Sequence, residues 1–244
     1  MQENWFKDWF NSPYYHLLYQ KRDHNEAQVF IDNLIKYLSP SKNASMLDIA
    51  CGKGRHSLQL ANYGYNVTGI DLSEMSIQEA KIHENEILHF FQHDMRQPFR
   101  INEFDYAFNF FTSFGYFKTS AENDSAMQTI AQAIKPGGIV VIDYLNVKHV
   151  EKNMTHQAKE NINDIDFTVT KWYDDHKFYK KILIEDPKET APISFTEEVS
   201  RFTLQNFNEL FSKQQLQTKA VFGDYDLNKY NEENSPRMII VAKK

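Results

Sequence analysis

Cysteine is almost absent from this 244-residue chain: Cys51 stands alone, so an intrachain disulfide is excluded. No apolar run approaches the roughly 18 residues that a membrane span needs. The amino end, Met1 to Asp8, lacks the basic and apolar blocks of a signal peptide. These absences make the cytoplasm the expected location and leave no membrane among the expected partners. Positive charge is also in deficit, with a formal net charge of −6. A duplex-binding protein carries a basic stripe that replaces phosphate counterions. Pairs such as Lys21-Arg22 and Lys180-Lys181 are too short to form one, so nucleic acid is not an expected partner. No His, Asp and Glu set has metal-ligand spacing, and no metal is expected. There is no internal repeat and no low-complexity segment.

What remains is the composition of an ordinary globular protein, with 41% hydrophobic and 25% charged residues. The length fits one domain, or a core domain with an insertion. Ser12-Pro13 reads as a helix start. The helical pattern after it is interrupted by the polar run Gln20 to Gln28 and ended by Pro40. Strand and helix then alternate: strand 46–50, helix 55–63, strand 66–70, helix 74–83 capped by Ser73, and strands 87–92 and 104–111. A helix over 121–135 stops at Pro136-Gly137-Gly138, and a β-branched strand fills 138–145. Such alternation implies a mostly parallel, doubly wound sheet. From 146 to 202 the rhythm breaks into strand-like segments at 162–172 and 178–184, a hairpin, with a further strand at 193–202. Helix 203–212 and strands 216–222 and 237–242 then complete a seven-stranded sheet.

The most informative run is Asp48-Ile-Ala-Cys-Gly-Lys-Gly54, followed by Arg55-His-Ser-Leu and, later, Gly69-Ile-Asp71. A buried strand ends in two glycines, and a helix begins. Glycine there permits positive φ and lets a ligand approach the backbone, and the next helix offers free N–H groups. The dinucleotide fingerprint needs a third glycine, but Ser57 takes that place, and an acid inside the strand is foreign to it. Asp48, Gly52, Gly54 and Asp71 together resemble the nucleoside-binding motifs of class I S-adenosylmethionine-dependent methyltransferases.

That resemblance covers residues 44–145 well and the last two strands loosely. It implies a Rossmann-like α/β fold, a seven-stranded, mostly parallel sheet with an antiparallel β insert. It divides a single domain, 1–244, into an amino-terminal helical lid (1–40), a cofactor-binding core (41–145), a β-hairpin insert over the substrate site (146–202) and the carboxyl-terminal part of the core sheet (203–244). S-adenosylmethionine is the implied cofactor, S-adenosylhomocysteine its product, and a small molecule with an N or O nucleophile the implied acceptor. Asp48 would face the methionine portion of the cofactor, or accept bonds from the glycine loop itself. Ala50, Cys51, Gly52 and Gly54 would lend backbone, with Cys51 a small buried filler. Asp71 would accept both ribose hydroxyls, the logic dinucleotide enzymes also use. Leu72 would pack on adenine, Asp94 receive its amino group and Met95 cover the ring.

Phe110 would stand beside the sulfonium, where an aromatic face favours a cation. Tyr14, Tyr19, Phe114 and Tyr116 are the expected substrate contacts. The segment 109–117 lacks the Asn/Asp-Pro-Pro-Tyr/Phe element of adenine-N6 DNA methyltransferases, which argues against that class. If the acceptor must lose a proton, His16, Tyr19, Tyr116, Tyr144 and His149 are the candidate bases. Trp5, Phe6, Trp9, Tyr14 and Tyr15 form either a lid that excludes water or a docking face for a homodimer. Rival readings are a tRNA or protein methyltransferase, a non-catalytic cofactor-binding protein on the same scaffold and, more distantly, a NAD-dependent enzyme.

Overall fold

The computed structural model describes residues 5–19 and 24–244, with backbone alone for 24–26. The Lys21-Arg22 pair and the first part of the polar run lie outside the described residues. Helix α2 (Pro13–Leu18) begins where Ser12-Pro13 predicts: the Ser12 hydroxyl accepts from the Tyr14 N–H at 3.2 Å, and proline needs no partner at the first helical position. Before it lies α1 (Trp5–Phe10), and after it α3 (His24–Leu38).

The alternation then unfolds as β1 (Ser45–Ile49), α4 (Arg55–Asn62), β2 (Asn66–Asp71), α5 (Glu74–Ala80), β3 (Leu88–Gln92), β4 (Phe104–Asn109), α6 (Ser120–Ala133) and β5 (Ile134–Leu145). Short helix α7 (Val147–Asn153) leads to four strands, β6 (Gln157–Ile162), β7 (Ile165–Tyr173), β8 (Lys177–Glu185) and β9 (Ile193–Ser200). Helix α8 (Leu204–Lys213) and strands β10 (Gln217–Phe222) and β11 (Arg237–Lys243) finish the chain. The main sheet has the order β3-β2-β1-β4-β5-β11-β10, parallel from β3 to β5, with β11 and β10 antiparallel. Order reverses between β1 and β4, and a crevice opens outside their carboxyl ends.

Side chains alternate across β1, so one strand feeds two cores. Leu47 and Ile49 pack with Phe104, Ile130 and Phe207 on the α6 and α8 face. Met46 packs with Phe30, Leu60 and Phe90 on the face of α3, α4 and α5. A third cluster joins Trp5, Phe6 and Trp9 to Ile162, Phe167, Ile182 and Ile184 of the small antiparallel sheet. The aromatic amino end is thus covered by its own chain, with Trp9 fully buried.

Two expectations need correction. The segment expected as one strand over 162–172 is two, folded at Asn163-Asp164, so the small sheet has four strands in the order β6-β7-β8-β9. Both turn residues adopt positive φ, 53° and 63°, which Asn and Asp tolerate in a two-residue hairpin without glycine. Pro136-Gly137-Gly138 does not separate helix from strand either. Strand β5 starts at Ile134, paired with Phe104, and a register shift before Tyr106 absorbs the irregular residues.

One buried ion pair ties the two halves of the main sheet together. Asp143 on β5 is fully buried and accepts from Arg237 Nε of β11 at 2.8 Å. Its other oxygen accepts the Phe111 N–H at 2.8 Å, and Arg237 Nη2 donates to Thr112 Oγ1 at 3.0 Å. These bonds hold Phe111 and Thr112 at φ 56° and 58°, a strained turn for residues with side chains. An Arg237→Met exchange leaves that carboxylate without its cation. A loss of about 3 kcal/mol of folding free energy is expected in urea denaturation, the range for breaking a buried pair.

Candidate functional site

The crevice at the reversal point holds a cavity of about 370 Å³. Its floor comes from the carboxyl ends of β1, β2 and β4, and its roof from α1 and α2. A volume of this order suits a small organic ligand.

Asp71 closes β2 and organises the floor. Its Oδ2 accepts the Gly52 N–H at 2.8 Å and its Oδ1 accepts the Ser73 N–H at 2.8 Å. One carboxylate therefore fixes the glycine loop and the entry to α5 while still facing the cavity. Burial raises its pKa, opposed by hydrogen bonds from the Ser73, Gly52 and Leu72 backbone. The Ser73 hydroxyl caps α5, accepting from Ser76 N–H at 3.2 Å. It also donates to Asn11 Oδ1 at 2.9 Å, which fastens the α1–α2 corner beside the floor.

Gly52 and Gly54 serve different ends. At Gly52, φ is 57° and a Cβ would meet no heavy atom within 4 Å, so the surface there is open toward the cavity. At Gly54, φ is 81° and a Cβ would lie 2.5 Å from the Phe90 ring. Gly54 is outside the cavity wall and is required by packing, not by ligand approach.

Asp48 does not face the cavity as expected. It lies within β1, one residue before its end, almost fully buried, and accepts from the Ser57 hydroxyl at 2.6 Å. It thereby holds the first turn of α4, while Asp71 receives the glycine-loop N–H. Desolvation dominates its titration and, with Ser57 bonding opposing it, leaves its pKa at about 7. Cys51 lines the cavity but is buried, and burial pushes its thiol pKa well above the usual value, so it is no nucleophile.

Ala50, Leu72, Asp94, Met95 and Phe110 all reach the cavity. Ala50 does so at φ 60°, another strained position on the floor. Asp94 is clasped by Arg96, whose Nε and Nη2 lie 3.0 and 2.6 Å from its two oxygens. Burial raises the Asp94 pKa, but the Arg96 hydrogen bonds outweigh it, and the net shift is down. Arg96 also bonds Glu122 at 2.6 Å and covers the Phe6 and Phe117 rings at 5.5 and 5.1 Å. Phe110 stacks on Phe108 and on His56, with centroids 5.3 and 4.6 Å away.

Among the expected substrate contacts, Tyr19 and Tyr116 line the cavity; Tyr14 and Phe114 do not. The Tyr14 hydroxyl donates to Asp186 Oδ2 at 2.9 Å, away from the cavity. Phe114 is fully buried against Phe202 and Phe207. Of the candidate bases, His16 lies in the wall, whereas Tyr144 and His149 lie elsewhere. Tyr144 is fully buried and donates to the Ser200 carbonyl at 2.5 Å, a structural bond between β5 and the end of β9. His149 bonds Asn153 one turn on in α7.

Sequence reasoning did not single out the Arg96 clasp or the Asp143–Arg237 support. A signal existed for the second, since Asp143 is a lone charge inside a β-branched run. Among the described residues no group of three or more His, Cys, Asp or Glu could hold a metal, and no helix is long and apolar enough to cross a membrane.

This geometry accords with the comparisons to known proteins. Residues 40–187 match the family described as "Methyltransferase domain", and the chain belongs to that family. It is 34% identical over 120 residues to YqeM of Bacillus subtilis (strain 168), which carries a methyltransferase name, covering 46% of this chain and 47% of that one. It is 33% identical over 133 residues to a dTDP-3-amino-3,4,6-trideoxy-alpha-D-glucopyranose N,N-dimethyltransferase of Streptomyces venezuelae, covering 53% and 54%. The matches thus span about half the length of these curated relatives. In three dimensions the chain resembles an S-adenosylmethionine-dependent methyltransferase from Clostridium acetobutylicum ATCC 824, with a TM-score of 0.77 at 16% identity over 94% of this chain and 95% of the other. At that identity the likeness speaks for the fold.

Two substitutions separate packing from ligand contact. Gly54→Ala should lower the thermal midpoint markedly, because its methyl group strikes Phe90. Gly52→Ala should cost only the backbone strain of about 1 kcal/mol and show its main effect in ligand affinity. A third substitution reports on Asp48. Its folded pKa exceeds the unfolded value, so the native state holds the extra proton between about pH 4 and 7. Stability contributed by this group therefore falls as pH rises through that window. Asp48→Asn keeps an acceptor for Ser57 and should abolish that part of the slope, as seen by comparing thermal midpoints of the two proteins across pH 4 to 8.

Proposed function

We propose that this protein transfers a methyl group from S-adenosylmethionine to a small-molecule acceptor with an N or O nucleophile. The observation that carries the reading is Asp71, a carboxylate at the end of β2 that faces the cavity and is locked in place by Gly52 and Ser73. Such an acid can accept sugar hydroxyls, and bonds to a charged acceptor contribute roughly 1.5–3 kcal/mol each. The open surface at Gly52 fits a ligand lying against the loop backbone. Leu72, Met95 and the Arg96-clasped Asp94 suit a flat, polar-edged base; Asp94 accepts from its amino group with the one lone pair that the Arg96 backbone and side chain leave. Phe110 suits the sulfonium end.

When bound, the cofactor supplies an activated methyl group on a good leaving group. The protein's contribution is alignment, which in well-oriented reactions lowers a barrier by several kcal/mol. Residues 5–19 roof the cavity with Phe6, Phe10, Tyr15, His16 and Tyr19, while the small sheet braces that roof from behind. We therefore read 1–40 as the lid, 41–145 as the cofactor core, 146–202 as the support of the lid and acceptor side, and 203–244 as the completion of the sheet. Tyr19 and Tyr116 are the acceptor contacts in this reading.

The sugar N,N-dimethyltransferase among the relatives supports a small acceptor. The net charge of −6 speaks against tRNA, and we assign the protein to the cytoplasm. The aromatic amino end gives no support to a homodimer docking face, because Trp5, Phe6 and Trp9 are buried within the chain.

Calorimetry tests the reading directly. S-adenosylhomocysteine should bind and NAD should not, and Asp71→Ala should weaken S-adenosylhomocysteine at least tenfold, as loss of one charged-acceptor bond requires. Preferential NAD binding would overturn the assignment.

A further inference from the structure

The Arg96 clasp does more than the local turn requires. The turn that carries Asp94 is closed without the Arg96 side chain: the Gln97 N–H donates to the Asp94 carbonyl at 2.9 Å, and the Arg96 N–H donates to Asp94 Oδ1 at 2.9 Å. The Arg96 side chain then adds a fork. Its Nε lies 3.0 and 3.1 Å from the two carboxylate oxygens, and its Nη2 lies 2.6 Å from Oδ2. A planar guanidinium fixes the plane of a carboxylate, which a point charge does not. The clasp is itself anchored. Arg96 Nη1 donates to Glu122 Oε1 at 2.6 Å, while Glu122 Oε2 accepts the Lys118 and Thr119 N–H groups at 3.1 and 3.0 Å before the start of α6. The guanidinium also lies against the Phe6 and Phe117 rings, both of which line the cavity.

The carboxylate so held is within reach of a ligand. Asp94 lines the cavity, and 23% of its side-chain surface stays exposed. The N–H of its neighbour His93 donates to the Asp71 carbonyl at 2.8 Å, so Asp94 stands one strand away from the proposed sugar contact. Of about four lone-pair directions Arg96 occupies three, which leaves one for a ligand donor. Burial raises the Asp94 pKa, the Arg96 hydrogen bonds lower it by more, and at neutral pH the group is a pure acceptor. A purine with an amino group on its edge offers a matching donor. An unclasped carboxylate could turn about its side-chain bonds and give the same lone pair to water. Resting on the functional reading above, we propose that Arg96 is a positioning residue for the base: it holds Asp94 so that the open lone pair meets the exocyclic amino group, and thereby sets the preference for adenine over a purine without that group.

Calorimetry of the full chain with two probes, S-adenosylhomocysteine and its 6-deamino purine analogue, tests this. The unaltered protein should prefer S-adenosylhomocysteine by about tenfold or more, as one bond to a charged acceptor requires. Arg96→Met keeps an apolar side chain against the two rings but loses the fork. It should weaken S-adenosylhomocysteine by about tenfold and leave affinity for the analogue unchanged, so that the preference collapses. Arg96→Lys keeps the charge without the fork and should not restore the preference. An intact preference in Arg96→Met, or its full return in Arg96→Lys, would overturn the proposal. Equal losses for both probes would also overturn it, since the clasp would then be a structural tie alone. So would the absence of any preference in the unaltered protein, because Asp94 would then meet no amino group. Failure of the unaltered protein to bind either probe would instead sink the functional reading itself.

Discussion

The site depends on one constraint, the double hydrogen bond that the Asp71 carboxylate receives from Gly52 and Ser73. Two strand-to-helix turns, after β1 and β2, form much of the cavity floor. A shared carboxylate joins the two loops into one surface. It has about four lone-pair directions, and backbone N–H groups of Gly52, Ser73 and Leu72 take no more than three, which leaves acceptor capacity on the cavity side. In the proposed reading, support and recognition are functions of the same atoms.

Around that centre the protein places its other charges by the same rule. Asp48 secures α4 through Ser57, and Asp143 with Arg237 secures the strained turn after β4. Arg96 clamps Asp94 to Glu122 and lays its guanidinium over the Phe6 and Phe117 rings. Each buried acid fixes a loop at the carboxyl edge of the sheet, where backbone geometry is least determined by strand pairing. The small sheet has a matching role: Glu197 accepts from both Trp9 Nε1 and the Tyr19 hydroxyl at 2.7 Å, tying α1 and the end of α2 to β9.

Much of this was legible in the sequence because it rests on local rules. Strand–helix alternation, the Ser12 and Ser73 caps and the glycine pair identify the fold and the floor of the site. The less legible parts depend on pairing between distant residues. Nothing near Asp94 in the sequence reveals that Glu122 shares its arginine, and nothing near Tyr144 reveals the Ser200 carbonyl that consumes its hydroxyl. Asp48 shows the limit of motif reasoning: its position suggests a ligand contact, yet strand alternation turns its side chain beneath the floor. The Asn163-Asp164 turn is hard to read in the sequence because it uses no glycine, although both residue types tolerate positive φ.

The most direct measurement is a crystal structure of the complex with S-adenosylhomocysteine. The account predicts the ribose hydroxyls against Asp71, the backbone of Gly52 beside the ligand and the sulfur turned toward Phe110. Density for the ligand elsewhere, or Asp71 bonded only to its own loops with the sugar out of reach, would contradict it.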